Sequence, residues 1–237
     1  MGYKAFSKGM ICQGKQYAEN SVFEEIGADS CCKKGVMHYC ETPFDCLDYY
    51  PLVDDNGDFT EFAEVEPLDK VLVQDNKRAT KKLKIGAKLS FKDFIKAGIS
   101  VLIESTKDIP NGENSSGYGA KIGSSGDWAK IGSSGDRAQI GSSGNKAQIG
   151  SSGYGAQIGS SGYGAKIGSS GDRAVVSAIG FNSKIKAKIG SWIVLAEYDE
   201  DSKPVCVRAA QIDGEKLKPD TFYTLKNGEF IETEMED

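Results

Sequence analysis

The chain has 237 residues, 29 Lys and Arg against 34 Asp and Glu, a formal net charge of −5, 39% hydrophobic residues and 29 glycines. The mild acidity argues against a nucleic-acid-binding protein, and no apolar run reaches the ~18 residues of a membrane-spanning helix. Low apolar content with abundant glycine disfavours a thick mixed core and favours the thin core of a repeat architecture. Six cysteines without an apolar signal segment predict reduced thiols and a cytoplasmic location.

Residues 1–113 are predicted to form an N-terminal α+β domain. Ser90 to Asp93 resembles a capping box, which predicts a helix that begins there and ends at Gly98. Two short aliphatic runs in the same region predict β-strands at 71–73 and 83–85.

Most cysteines and the single histidine of the chain cluster in this region. They are Cys12, Cys31, Cys32, His38, Cys40 and Cys46. A zinc site drawn from Cys12, Cys32, His38 and Cys40 is one interpretation, but no CxxC pair exists and the spacing fits no common zinc finger. We therefore predict buried thiols, with no metal, no cofactor and no catalytic residue.

Residues 117–179 consist of seven tandem nine-residue units of the form Gly-x-x-Ala-x-Ile-Gly-Ser-Ser, a near-exact repeat. Alanine recurs at 120, 129, 138, 147, 156, 165 and 174. Isoleucine recurs at 122, 131, 140, 149, 158 and 167, with Val176 in the last unit. Since Ala and Ile are two residues apart, both face one side of a strand, and the glycines that follow turn the chain.

One such strand cannot bury itself, so the units are predicted to stack about 4.8 Å apart into a parallel β-solenoid. Two units per coil give 18-residue, flattened coils, about three and a half of them. Three-sided coils are the alternative, and the sequence does not indicate the handedness.

The positions that vary between units are the candidate partner-binding residues. With two units per coil, one edge stacks Tyr118, Asp136, Tyr154 and Asp172, and the other stacks Asp127, Asn145 and Tyr163. Tyr, Trp and Arg are enriched at binding hot spots. The predicted binding residues are Tyr118, Trp128, Arg137, Lys146, Tyr154, Tyr163 and Arg173. The alternative is that all of them are simply solvated turn residues.

After the array, strands are predicted at 192–196 and 205–212, followed by a hairpin around Asn227-Gly228. These strands would cap the open end of the solenoid. The predicted fold is mainly β, a short parallel β-solenoid of nonapeptide repeats at 114–190, flanked by the N-terminal α+β domain and a C-terminal β-hairpin cap at 191–237.

The array resembles two known solenoid types. One is the calcium-binding nonapeptide β-roll, which needs Asp at a fixed turn position, whereas only Asp127, Asp136 and Asp172 occur here. The other is the head of trimeric surface adhesins, whose Ala-Ile-Gly strands resemble 178–180 and 188–190. The second resemblance implies a virion or adhesin structural module.

Two further resemblances involve the N-terminal region. Residues 35–40 and 42–50 resemble the Gly-x-Tyr-Phe-Ala segment of ADP-ribosyltransferases, which implies a degenerate transferase or a small-ligand (nucleotide) binder. Five features together are similar to uncharacterised bacteriophage and prophage proteins: the opening Gly2 to Phe6, the segment Gly35 to Cys40, residues 48–52, the array and the tail at 195–199. That resemblance implies a phage origin and no particular activity.

The leading hypothesis is a non-enzymatic, phage-encoded interaction protein that uses the solenoid as a rigid binding scaffold. Its partner would be a host protein of defence or nucleic-acid processing. The chain itself is expected to bind neither nucleic acid nor a membrane directly. Homo-oligomerisation of the chain is left open. The alternatives are the virion module and the N-terminal ligand binder.

Overall fold

The computed structural model describes residues 1–27, 31, 35–74, 76–106 and 114–234. The chain divides into two compact units, Met1–Phe94 and Ile95–Asp237, called here the N-terminal and the C-terminal unit. The fold is mainly β and contains the predicted parallel β-solenoid, which confirms the predicted fold class.

The N-terminal unit is built on an antiparallel sheet of seven strands in the order β4-β9-β6-β1-β5-β8-β7, beside a small β2-β3 hairpin. A short 3-10 helix spans Phe44–Asp48. The strands are β1 (Gly2–Phe6), β2 (Ile11–Cys12), β3 (Lys15–Gln16), β4 (Ser21–Glu24), β5 (Met37–Cys40), β6 (Glu61–Pro67), β7 (Leu72–Gln74), β8 (Lys77–Thr80) and β9 (Lys82–Leu89). The strands predicted at 71–73 and 83–85 correspond to β7 and β9, at 72–74 and 82–89.

Alternate residues of the central strand β1 face opposite sides of this sheet. On one side, Phe6 joins a buried cluster that includes Tyr17, Met37 and Leu83. On the other side, Phe62 stacks on Phe94 with ring centroids 3.7 Å apart. Both faces of the sheet are therefore covered by apolar side chains within this unit.

Helix α1 spans Phe91–Thr106 and begins where the capping box predicts. The backbone N–H of Asp93 donates to Ser90 Oγ at 3.2 Å. The predicted end at Gly98 is wrong, because the helix continues for two more turns. Ile95, Ile99 and Leu102 continue the helical spacing of buried residues through Gly98, and this packing outweighs the ~1 kcal/mol propensity cost of one glycine.

The C-terminal unit contains the solenoid. Its strands are β10 (Asn114–Ser115), β11 (Lys121–Ser124), β12 (Lys130–Ser133), β13 (Gln139–Ser142), β14 (Gln148–Ser151), β15 (Gln157–Ser160), β16 (Lys166–Ser169), β17 (Val175–Ala178), β18 (Lys184–Ala187), β19 (Trp192–Tyr198), β20 (Pro204–Gln211), β21 (Phe222–Lys226) and β22 (Glu229–Thr233). They form two sheets, β10-β12-β14-β16-β18-β21-β22 and β11-β13-β15-β17-β19-β20.

Consecutive units alternate between the two sheets, and each strand pairs in parallel with the strand two units later. Ile122 lies beside Ile140, and Ile140 beside Ile158. This register confirms the flat coil of two nonapeptides and excludes the three-sided alternative. The array makes about four turns over residues 121–195, because the period continues beyond the seventh unit.

The additional rungs are β18 and β19. Ile185 pairs with Ile167, and Ile193 pairs with Val176. From β19 onward the partners are antiparallel: β20 closes one sheet, and the β21–β22 hairpin with its Asn227-Gly228 turn closes the other. The two central residues of this turn, Asn227 and Gly228, have positive φ of 54° and 74°, as the predicted hairpin turn requires.

The interior of the coils is more polar than an Ala/Ile core. In addition to Ala and Ile, the first Ser of each unit points inward, because it follows Ile by two residues. Four of these serines, all buried, have an Oγ without a hydrogen-bond partner among the described residues: Ser142, Ser151, Ser160 and Ser169. Ala178 and Ala187 occupy the same position in the next rungs.

The outer faces of the two sheets differ. On the β13 face, a Cβ placed on Gly141 would lie 3.2 Å from Ile99 Cα and 3.3 Å from Leu102 Cβ, so this glycine permits the close approach of α1. On the opposite face, a Cβ on Gly150 would meet nothing within 4 Å. The outer face of the solenoid at Gly141 is therefore covered by a helix of the same unit, whereas the opposite outer face is open at Gly150.

Candidate functional site: the two edges of the solenoid

The turns between strands are held by a ladder of hydrogen bonds from coil to coil. At the second position of the unit, Asp and Asn side chains accept the backbone N–H of the residue one coil later. Asp127 Oδ1 accepts from Asn145 N at 2.7 Å, and Asn145 Oδ1 accepts from Tyr163 N at 3.0 Å. On the other edge, Asp136 Oδ1 accepts from Tyr154 N at 2.8 Å. Asp127 and Asp136 are thus structural acceptors, which gives them a role other than calcium binding.

The third position of each turn has a left-handed backbone. Gly119, Gly155 and Gly164 hold it with φ of 65° in the units that carry Tyr at the second position. In the units that carry Asp or Asn there, the same conformation is held by larger residues with φ between 55° and 61°: Trp128, Arg137, Lys146 and Arg173. Non-glycine residues adopt this conformation at a cost on the order of 1 kcal/mol.

The first edge carries four of the predicted residues, and it alternates Tyr and Arg from coil to coil. The Arg137 guanidinium lies 5.9 Å from the centroid of the Tyr118 ring, and Arg173 lies 5.9 Å from the Tyr154 ring. Tyr118 is 74% exposed. The structure therefore brings these residues together as two cation–π pairs, stacked one above the other on a single edge.

The second edge carries the other three predicted residues. Lys146 Nζ lies 4.2 Å from the centroid of the Trp128 ring, which is itself 63% exposed. Tyr163 lies one coil further along, and the backbone N–H of Lys146 donates to its carbonyl at 2.6 Å. Along this edge, one side chain per coil therefore follows the next: Trp128, Lys146 and Tyr163.

Sequence reasoning missed two aromatic residues of the second edge. Phe181 stacks on Tyr163 with centroids 5.7 Å apart, and Tyr198 contacts Phe181 edge-on at 5.7 Å. The Tyr198 hydroxyl donates to the carbonyl of Ile179. The signal for Phe181 was present, since Gly180 and Ile185 keep the nine-residue period. Tyr198 has no repeat signal, because it reaches the edge from the end of β19.

The two edges suit binding by stacking and by charge. Their rings and cations project from turns whose backbone groups are already hydrogen-bonded, so few backbone groups need to be ordered on binding. Aromatic faces accept flat or cationic groups of a partner, and Arg137 and Arg173 can donate forked hydrogen bonds to carboxylates. Asp172 is already paired with Lys188 at 2.9 Å.

The zinc ligand set that the sequence allowed falls only in part on the described residues of the N-terminal unit. Cys32 lies outside the described residues. Cys12 Sγ contacts Lys4 Nζ at 3.4 Å and Tyr50 Oη at 3.0 Å. A hydrogen bond between Cys46 and Cys40, together with burial, raises the pKa of the Cys46 thiol. In the part of the chain that the structure describes, no group of three or more His, Cys, Asp or Glu side chains is placed to hold a metal ion.

Comparison with known proteins yields one match. No curated protein and no solved structure matches this chain. No helix among the described residues is long and apolar enough to cross a membrane. Residues 1–97 match the family model of a domain of unknown function, DUF7666, so the match covers the strands of the N-terminal unit and the start of α1 and stops before the solenoid.

Proposed function

We propose that this is a non-enzymatic interaction protein whose β-solenoid is a rigid scaffold presenting its two edges to a protein partner. The observation that carries the proposal is the exposed Trp128 ring, which lies under Lys146 on a hydrogen-bonded turn. Large exposed rings beside cations are the side chains that dominate binding energy at interfaces.

The strained turns support this function. Glycine is the residue that best fits the third turn position, and three units have it there. Trp128, Arg137 and Arg173 hold the same backbone conformation at a cost in stability. That cost is explained if their side chains are needed for contact with a partner rather than for the fold.

The geometry of a solenoid also suits this function. Successive coils place side chains about 4.8 Å apart along each edge, so a partner meets a straight row of groups at fixed spacing. Since the rungs are locked by backbone hydrogen bonds, little conformational entropy is lost on binding.

The finer proposal is that the protein is made by a phage, acts in the cytoplasm of the host and binds a host protein of defence or nucleic-acid processing. It rests on the similarity of the opening segment, Gly35 to Cys40, the array and the tail to uncharacterised phage and prophage proteins. The alternative, a virion module, predicts an obligate trimer in light scattering and the protein in purified virions. A monomer or dimer absent from virions favours the interaction protein.

The test is capture from host lysate on the immobilised full chain, comparing wild type with Trp128→Gly. Because glycine occupies this turn position in other units, we expect the melting temperature to stay the same or rise. Recovery of the partner should fall at least tenfold. Val205→Ala, an exposed residue on β20, is the control and should capture normally.

The proposal fails if no protein is recovered above background. It also fails if the recovered protein binds wild type, Trp128→Gly and Tyr154→Ala equally well, because the edges would then take no part in binding.

A further inference from the structure

A cleft of about 660 Å³ opens in the N-terminal unit beside the central strand β1. Strand β1 pairs with β6 along five residues but with β5 at only one position, Tyr3 opposite Cys40. The two strands diverge beyond that pair. The gap leaves space for a ligand and frees backbone carbonyls of β5, which a side chain must then satisfy.

Lys4 fills that role at the floor of the cleft. It is only 4% exposed, and its Nζ donates to the carbonyl of His38 at 2.8 Å and to Cys12 Sγ at 3.4 Å. The Nζ also lies 5.3 Å from the Tyr17 ring centroid and 5.6 Å from that of Phe6. Two of the three ammonium donors thus have partners among the described residues.

Within the described part of the chain, the charge of Lys4 has no carboxylate counterion. None of the carboxylates in the described residues forms an ion pair with it, although nearly all buried lysines are paired. Two groups could supply the negative charge, a Cys12 thiolate or an anion bound in the cleft. The cleft favours the second, because it leaves open space beside the floor and carries another cation at its wall.

That second cation is Lys77, whose Nζ lies 4.0 Å from the centroid of the Tyr49 ring. Among the described residues that line the cleft, the other charged groups are Lys15 and Glu25, which pair with each other. The described lining therefore has a net positive charge. Half of the ten tyrosines in the chain line it, which gives flat walls with polar edges: Tyr3, Tyr17, Tyr39, Tyr49 and Tyr50.

We infer that this cleft binds a small aromatic anion, a ring bearing a carboxylate or a phosphate. The anion would pair with the third donor of Lys4 and with Lys77, and the ring would lie against tyrosine faces. The volume is within the range of ligand-binding pockets. This site lies in a different unit from the solenoid edges and does not depend on the function proposed for them.

The test is calorimetric titration of the full chain with phenyl phosphate and with benzoate, which separate the two anionic groups. Phenol carries the ring without the charge, and inorganic phosphate carries the charge without the ring. We expect at least one of the two aromatic anions to bind tenfold more tightly than phenol and than inorganic phosphate. If neither does, the inference is wrong.

Variants locate the site. Lys4→Met keeps the apolar stem and removes the charge, and should weaken binding of the aromatic anion at least tenfold. Lys8→Met, at an exposed lysine paired with Asp58, is the matched control and should bind as wild type. If Lys4→Met does not fold, Lys77→Met replaces it and should weaken binding several-fold. Unchanged binding in the folded Lys4 or Lys77 variant overturns the inference.

Cys12→Ser decides between the two counterions. If an anion neutralises Lys4, thiolate absorbance at 240 nm near neutral pH is the same in this variant as in wild type. If wild type shows a thiolate absorbance that Cys12→Ser loses, and no aromatic anion binds, Cys12 is the counterion and the inference is overturned.

Discussion

His38 shows how the position of one side chain sets its protonation. It lies on β5, where burial, Lys4 and Lys77 together lower the pKa of its imidazole to about 4 from an ordinary 6.5. Between pH 4 and pH 6.5, His38 is protonated in the unfolded chain but neutral in the folded chain. The contribution of His38 to stability is therefore full above pH 6.5 and is lost as the pH falls toward 4.

We predict that the imidazole C2–H resonance, which is unambiguous because the chain has one histidine, titrates in NMR with a midpoint near 4. Lys4→Met removes one of the two cations that lower this pKa, so it should move the midpoint upward. Lys8→Met should leave it unchanged. A midpoint of 6.5 in the wild-type protein would show that the ring is neither desolvated nor close to the lysines.

At the scale of elements, two glycines on opposite sheets differ only in what lies above them. Gly141 is covered by α1 through Ile99 and Leu102, whereas a Cβ on Gly150 would meet open space. Since Ile99 contributes a backbone atom to the contact, the helix cannot yield without shifting as a whole.

We predict that Gly141→Ala lowers the free energy of unfolding by about 1–3 kcal/mol, the cost of overpacking. Gly150→Ala, its matched control, should be neutral or stabilising by up to about 1 kcal/mol, because alanine restricts the unfolded chain. Urea unfolding of both full-length variants gives the comparison. Equal effects of the two substitutions would mean that α1 does not pack on β13 as described.

At the scale of the whole molecule, the solenoid depends on its C-terminal cap. Each coil contacts only its neighbours, so the last rung must be covered. Tyr223 of β21 does this: its ring is 1% exposed within the solenoid core, and its hydroxyl accepts the backbone N–H of Lys218 at 2.7 Å.

We predict that Tyr223→Ala lowers the stability of the full chain by about 3–5 kcal/mol and promotes aggregation, because it opens the end of the core. Tyr223→Phe keeps the ring and should cost only about 1 kcal/mol through the lost hydrogen bond. Thermal unfolding followed by circular dichroism and light scattering measures both. Aggregation of the phenylalanine variant to the same extent would contradict a packing role for the ring.

Much of the candidate site could be predicted, because a repeat converts sequence spacing into spatial position. Once two units make a coil, Tyr118 and Arg137 fall on one edge and Trp128 and Lys146 on the other. The inward serines also follow from strand alternation with Ile. Phe181 was missed because its unit departs from the Ala-x-Ile-Gly-Ser-Ser pattern while keeping the period.

The sequence by itself determined the solenoid, its strands and its edge residues, because a nine-residue period leaves few ways to bury Ala and Ile. Tertiary structure alone decided the rest. It extended α1 through Gly98 by packing Ile99 and Leu102, turned the strand at 192–198 into the last parallel rung and brought Tyr198 to the second edge. It also placed Lys4 beside Cys12 and His38, since contacts between residues far apart in the chain depend on strand order and divergence that no local pattern encodes.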